Sequence, residues 1–367
     1  MTKVIETRFQ KFALFSDIHF GKTKDSIIKL RTSVDFIKWF LERCEENKVD
    51  AVIFGGDWFD NRSNISVATL NIAYDYLKKI AIKYPVFMIV GNHDSTLKNT
   101  IKVNSLNQFN EIPNVTIIDE PTIVQSSAGR EILLCPWDTN ISVIDKMYDC
   151  VIGHFEFAGA ETAGLNIQES SNVTINDLTK NVPLVFSGHF HIRKEYAYGD
   201  RKLITIGSPF ELDWGDYGNK KGIYFYDSPT RTYTFIENII SPCHVKIHWS
   251  LIQKDPNIIC EGIVKNNYVR LIVDEKFKYS DLLKTQDKIN QLNPIRCCDT
   301  EFMFSGSNED LDSIDINSDI EIKMTNLDYI KKFISKMEDR YFDVDVSKEK
   351  LSEMATQYYR IIEERAE

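Results

Sequence analysis

The side chains that could do chemistry together lie in five short groups within the first 191 residues. They are Asp17-Ile18-His19, Gly55-Gly56-Asp57-Trp58-Phe59-Asp60, Gly91-Asn92-His93-Asp94, Gly153-His154 and Gly188-His189-Phe190-His191. Five of the seven histidines of the chain fall in these groups. A single histidine at a strand end is ordinarily structural. Five of them beside glycines and carboxylates form a constellation, and the chemistry that unites them is metal binding.

Neutral imidazoles, carboxylates and one amide suit borderline divalent cations such as manganese, iron or zinc. The set contains no thiolate, which argues against a structural zinc. Asp17, His19, Asp57, Asn92, His154, His189 and His191 are too many ligands for one ion. Two ions sharing a carboxylate account for them, and paired ions are the usual apparatus for hydrolysing phosphate esters. His93 has two readings: a further ligand, or a proton donor to the leaving oxygen.

The elements that must position these groups follow from the periodicity. Apolar runs at 12–16, 51–54 and 86–90 predict buried strands, each ending on one of the groups. Between them Ile27, Leu30, Val34, Ile37, Leu41 and Cys44 form a helical stripe, as do Val67, Leu70, Ala73, Tyr74, Leu77 and Ile80, from about Ser66 to Pro85. This β-α-β-α-β order predicts a parallel sheet covered by helices, with its site at the carboxyl ends of the strands. Further strands are expected at 114–118, 131–135 (ending at Pro136-Trp137), 150–152, 184–186, 203–206 and 223–227. The expected fold is α/β, a two-sheet β-sandwich flanked by helices, with a small α+β capping domain and C-terminal helices. Its parts are expected at 1–240, 243–306, an acidic linker over 307–325 and amphipathic helices over 326–367. The polar stretch 155–180 reads as a long loop with some helix.

The net charge of −10 does not suit a protein that coats itself with nucleic acid, so any such contact must be local, metal-assisted or shared with a partner. Arg62, Lys98, Lys102, Arg193 and Lys194 follow the motifs and are the candidate DNA-phosphate contacts; solvated surface charge is their ordinary role. Phe20, Trp58 and Phe190 could stack on a base, but packing under the site is the expected role. The seven cysteines are odd in number and lack Cys-x-x-Cys spacing, which argues against a disulfide framework or a zinc knuckle and predicts reduced thiols in the core. No apolar run reaches membrane-spanning length.

The five groups, in this order, resemble the motifs of the calcineurin-like metallophosphoesterases over residues 12–191. Gly207-Ser208-Pro209 and Lys221-Gly222-Ile223-Tyr224-Phe225-Tyr226-Asp227 further resemble the nuclease subunits of SbcCD-type break-repair complexes, those of T-even-type phages included. The resemblance implies that Asp17, His19 and His191 hold one metal and Asn92, His154 and His189 the other, with Asp57 between them. It implies that His93 meets the scissile phosphate and that Asp60 orients it. Manganese is the expected metal, with magnesium or iron as alternatives. Also implied are DNA as substrate, an SbcC-like coiled-coil ATPase partner docking on the C-terminal helices, a homodimer, and a cytoplasmic site of action (the host bacterium's, if the chain is phage-encoded). The alternative is a non-nucleolytic hydrolase of small phosphoesters on the same fold.

Overall fold

A computed structural model describes residues 2–7, 9–97, 100–303, 352, 353 and 356. Residues 1–275 together with 281–304 form one compact unit, and 276–280 with 305–367 a second. The expected linker and C-terminal helices therefore lie outside the described residues, apart from three positions.

Two mixed sheets organise the larger unit. In spatial order the first comprises the strands Thr232–Glu237, Gly222–Asp227, Lys11–Phe15, Ala51–Phe54, Val86–Ile89 and Val115–Ile118. Its last four strands are parallel, with Phe15 opposite Phe54 and Phe54 opposite Met88. The second comprises Lys3–Glu6, Thr122–Gln125, Glu131–Cys135, Cys150–Gly153, Leu184–Ser187, Arg201–Thr205 and Lys194–Tyr198. Here the run from Glu131–Cys135 to Arg201–Thr205 is parallel.

The period-two alternation of the strands divides the core into layers. Phe12, Leu14, Ile53, Phe87 and Ile89 of the first sheet meet Ile132, Leu134, Ile152, Phe186 and Ile204 of the second. The intervening Ala13, Phe15, Val52, Phe54 and Met88 point outward, onto the helices Ile27–Glu46 and Val67–Lys83. On the far side Leu133, Val151, Val185 and Leu203 pack under Phe157, Leu178 and Tyr148. The Ser66 hydroxyl accepts from the Thr69 N–H and caps the second helix where the sequence placed its start.

The helical stripes need correction at their margins. Ile27, Val67 and Tyr74 are exposed, while Phe36, which lies off the expected stripe of the first helix, is fully buried. The chain also builds strands that the apolar runs did not signal, at Lys3–Glu6, Thr122–Gln125, Lys194–Tyr198, Thr232–Glu237 and His244–His248. The stretch 155–180 contains a small hairpin (Glu161–Thr162 with Asn166–Ile167) and the short helix Ile175–Thr179.

Beyond residue 243 the strands His244–His248, Tyr268–Val273 and Asp299–Phe302 pair in parallel, with helices at Trp249–Lys254, Glu261–Val264 and Tyr279–Gln291. This small sheet docks through His244, whose N–H and Nδ1 lie 2.6 and 2.9 Å from Glu211 Oε2. The His244 ring stacks on Tyr268, 4.8 Å between centroids and 13° between planes. Lys29 reaches the same junction from the first helix. Its ammonium donates to the Leu212 carbonyl at 2.8 Å and lies 4.5 Å from the Tyr268 ring centroid. All seven cysteines are unpaired; Cys243, Cys260 and Cys297 are exposed rather than in the core.

Burial pushes the Lys29 amine down to about 8 from 10.5, although Asp213 and Asp216 oppose the shift. Its charge is therefore a cost to folding at neutral pH. That cost is relieved as pH rises from about 8 towards 10.5, so this residue makes stability increase across that window. The full effect is roughly 3 kcal/mol. Lys29→Met should remove this rise, measured as the difference between the two proteins' urea-unfolding free energies from pH 7 to 10.5.

Candidate metal centre

All five motif groups emerge at carboxyl ends of parallel strands and converge where the two sheets meet. Asp17, Asp57 and Asn92 follow three adjacent strands of the first sheet, while His154 and His189 follow two adjacent strands of the second. Backbone pairing continues past the strand ends. The Asp17, His19 and Phe20 N–H groups donate to the Gly56, Asp57 and Trp58 carbonyls at 2.9, 3.2 and 2.8 Å. Asp17, His19, Asp57 and His189 all have positive φ, between 49° and 82°. Such backbone costs energy in non-glycine residues and clusters at functional sites.

Glycines permit the crowding. A Cβ on Gly56 would lie 2.2 Å from His154 Nδ1, and one on Gly91 2.2 Å from Asp57 Oδ1. Gly91 is thus required by close approach.

Asp94 holds the assembly from beneath. Its carboxylate accepts from the backbone N–H groups of Asp57 (2.9 Å), Gly91 (3.0 Å), Trp58 (3.0 Å) and Phe59 (3.2 Å). One buried side chain thereby joins the loops after two neighbouring strands.

On one side of the centre His19 Nε2 and His191 Nε2 face each other at 3.0 Å. Asp17 lies with them, its ligand atom and theirs all within 4.8 Å of one another, and its Oδ2 is buried without a hydrogen-bond partner. On the other side Asn92 Oδ1 is 2.9 Å from both His154 Nε2 and His189 Nδ1. Between the two sets Asp57 Oδ2 lies 3.7 Å from His19 Nε2 and 3.4 Å from His154 Nε2. The His154 Nδ1 donates to the Gly55 carbonyl at 2.8 Å, which turns Nε2 towards the centre.

The charges suit cations. Burial pushes His189 down to about 3 and His191 well below the usual imidazole range, so both are neutral and able to ligate. Burial alone would also depress His154, but the Asp57 carboxylate outweighs it and raises the imidazole to about 9, so a cation bound there must displace the proton that Asp57 otherwise favours. Burial works to raise Asp57, and the neighbouring His154 and His19 more than reverse it, holding its carboxyl below the ordinary range. Facing imidazole nitrogens, an orphaned carboxylate oxygen and a central shared carboxylate fit two divalent cations. Bound there, they would activate a water and offset phosphate charge.

His93 stands at the edge of this centre, its ring 4.9 Å from that of His19 and nearly perpendicular to it. Its N–H donates to Asp57 Oδ1 at 2.8 Å. Its Nδ1 is 2.6 Å from the backbone carbonyl of Asp60, so that nitrogen carries the proton and Nε2 is the atom left for a substrate. The group of Asp60 that faces His93 is its main-chain carbonyl. The Asp60 carboxylate instead lies 3.3 Å from His19 Nδ1 and 3.4 Å from Lys22 Nζ.

Two residues at the site escaped the sequence reading. Lys22 stands one turn beyond His19, and nothing but its proximity to that motif signals it. Trp137 follows the strand Glu131–Cys135, and its ring centroid is 4.9 Å from that of His189 and 5.9 Å from that of His154. An aromatic at a carboxyl strand end was the available signal. Phe20, Trp58 and Phe190 are buried packing residues.

The candidate DNA contacts are mostly engaged within the protein. Lys102 pairs with Asp119 at 3.2 Å and Lys194 with Glu161. Arg193 donates to the Tyr224 hydroxyl at 3.1 Å and lies 4.3 Å from the Phe235 ring centroid. Arg62 is half-buried on the loop after Asp60, and Lys98 lies outside the described residues.

Residues 10–193 match the family model described as calcineurin-like phosphoesterase, and the chain belongs to that family. Its fold, a two-sheet α/β sandwich with this candidate metal centre at its strand ends, is that of the calcineurin-like phosphoesterases, a family of metal-dependent hydrolases. Exonuclease subunit 1 of Enterobacteria phage T4 is 29% identical over 254 residues, 65% of this chain and 70% of that protein. Protein 078R of Invertebrate iridescent virus 3, named as a phosphoesterase, is 28% identical over 218 residues. The match covers 49% of this chain and 60% of the viral protein. A structure of an archaeal phosphodiesterase aligns with 62% of this chain and 99% of its own, at 17% identity and a TM-score of 0.34. Among the described residues no helix is long and apolar enough to cross a membrane.

Two outcomes check this geometry. Asp94→Asn turns an amide N–H₂ towards backbone donors and should cost about 2–4 kcal/mol of stability by thermal or urea unfolding. In manganese titrations by calorimetry, Asp57→Asn should weaken both binding events by about tenfold or more, whereas His154→Ala should weaken only one.

Proposed function

We propose that the protein is the nuclease subunit of an ATPase–nuclease complex that processes DNA ends in recombination and double-strand break repair. Its reaction is two-metal hydrolysis of phosphodiesters, exonucleolytic, endonucleolytic or both. The observation that carries the reaction is the paired ligand set around Asp57, with His93 Nε2 free to face a leaving oxygen. The choice of DNA is supported by the likeness to a protein named as an exonuclease subunit, at 29% identity. The small parallel sheet held on Glu211 also supports it, because a hydrolase of small esters needs no such addition.

Asp17, His19 and His191 would hold one ion and Asn92, His154 and His189 the other, with manganese the first choice and magnesium or iron the alternatives. Arg62 is the strongest of the described candidate phosphate contacts, since Lys102, Arg193 and Lys194 are already paired, and Lys98 stays a candidate on its place in the sequence alone. The word subunit in the T4 relative's name supports an assembly. A partner ATPase of the SbcC type would supply the cationic surface that a chain of net charge −10 lacks. Residues 326–367 are its proposed dock. A homodimer working in the cytoplasm completes the reading.

The second reading is hydrolysis of small phosphoesters, which the viral relative's name favours. The purified chain with manganese should degrade linear DNA, more strongly when combined with its ATPase, and the ATPase should co-purify with the full chain but not with residues 1–325. Turnover of bis(p-nitrophenyl) phosphate with DNA untouched even in the complex would decide for the second reading. His93→Ala should keep both manganese binding events and lose about 10²–10⁴-fold in turnover. Loss of a binding event would make His93 a ligand.

A further inference from the structure

The Asp60 carboxylate was expected to serve His93, and the structure directs it elsewhere. Asp60 Oδ1 lies 3.3 Å from His19 Nδ1, while the His93 ring is held at 2.6 Å by the Asp60 main-chain carbonyl. His19 Nδ1 is buried, and among the described residues it makes no hydrogen bond of good geometry. The Asp60 oxygen is at hydrogen-bond length but off the axis of the ring N–H. A histidine that ligates a metal through Nε2 must carry its proton on Nδ1, and such an N–H ordinarily finds a carboxylate. A small rotation of the partly exposed Asp60 side chain would complete that bond.

The local structure is built to keep this pair in register. Phe20 and Phe59 form an isolated bridge, and the Asp60 N–H donates to the Phe20 carbonyl at 2.9 Å. These bonds tie the loop after the first motif to the loop after the second. The chain then turns through Gly21, Thr23, Lys24 and Asp25, all with positive φ between 53° and 91°. A run of left-handed residues is unfavourable for each non-glycine member. Within this stretch the Lys22 ammonium lies 3.4 Å from Asp60 Oδ1. The far end of the turn is held by the Thr69 hydroxyl, which donates to Asp25 Oδ1. Asp60 is thus fixed between a cation and the non-ligating nitrogen of a ligand.

We infer that Asp60 is a positioning residue for the metal ligand His19, orienting its ring and fixing its proton on Nδ1, with Lys22 holding the carboxylate in place. The orientation of His93 does not depend on the Asp60 side chain, because it comes from the backbone. This inference rests on the two-metal reading above, but not on DNA as the substrate.

The test uses Asp60→Asn and Asp60→Ala in the full chain, with manganese binding read by calorimetry and by the electron paramagnetic resonance of free Mn(II). Turnover of bis(p-nitrophenyl) phosphate is followed across manganese concentrations. One of the two binding events should weaken by about 10–100-fold in both variants. Turnover should be low at limiting manganese and recover to within a few-fold of the unmodified protein at saturation. His93→Ala should show no such recovery. Unchanged manganese affinity with a turnover defect that saturating metal does not rescue would overturn the inference and return Asp60 to His93. Failure of the unmodified chain to bind manganese at all would instead overturn the two-metal reading itself. Asp60→Asn is nearly isosteric at a partly exposed position, so it keeps the test independent of any folding defect in Asp60→Ala.

Discussion

The structure depends on the bonds that one buried carboxylate makes to backbone. Asp94 accepts four N–H groups from the loops after two neighbouring strands. Those loops carry Asp57, Asn92 and His93, and they approach so closely that Gly91 tolerates no side chain against Asp57, while His154 of the second sheet leaves no room for one at Gly56. Without a common acceptor, the donors of Asp57, Trp58 and Phe59 would be buried with nothing to bond. Asp94 satisfies them and fixes the spacing between Asp57 and the candidate ligands on either side of it.

The rest of the architecture brings the second half of the ligand set to that point. Two sheets packed face to face place their parallel strands so that both sets of carboxyl ends open on one seam. Two carboxylates, four imidazoles and an amide are gathered there, with His19 Nε2 facing His191 Nε2 at 3.0 Å and one buried Asp17 oxygen without a hydrogen-bond partner, a donor set suited to divalent cations. The left-handed backbone at Asp17, His19, Asp57 and His189 is a further cost concentrated at the same seam. The apolar layers on both faces of each sheet are what sustain it.

How much of this could be read in advance follows from where the information sits. The strands that end on the motifs are buried on both faces, so they appear as continuous apolar runs, and the candidate ligands could be picked out at their endings. The strands at or near the sheet margins, such as Lys3–Glu6, Lys194–Tyr198 and Thr232–Glu237, are polar or half-exposed, and their pairing is decided by neighbours distant in the chain. Which group of Asp60 faces His93 was not legible for a related reason. Its neighbourhood to His93 was inferred from the motif, but whether the carbonyl or the carboxylate faces that ring is a matter of backbone geometry that residue types do not encode. Lys22 depends on a left-handed turn over Thr23, Lys24 and Asp25, which no turn signal beyond Gly21 announces.

The central claim is that two metal ions bind at this seam and share Asp57. Anomalous diffraction from crystals soaked in manganese tests it most directly. The account predicts two peaks about 3.5–4 Å apart, one beside Asp17, His19 and His191 and one beside Asn92, His154 and His189, with Asp57 touching both. A single peak, or peaks away from Asp57, would contradict it.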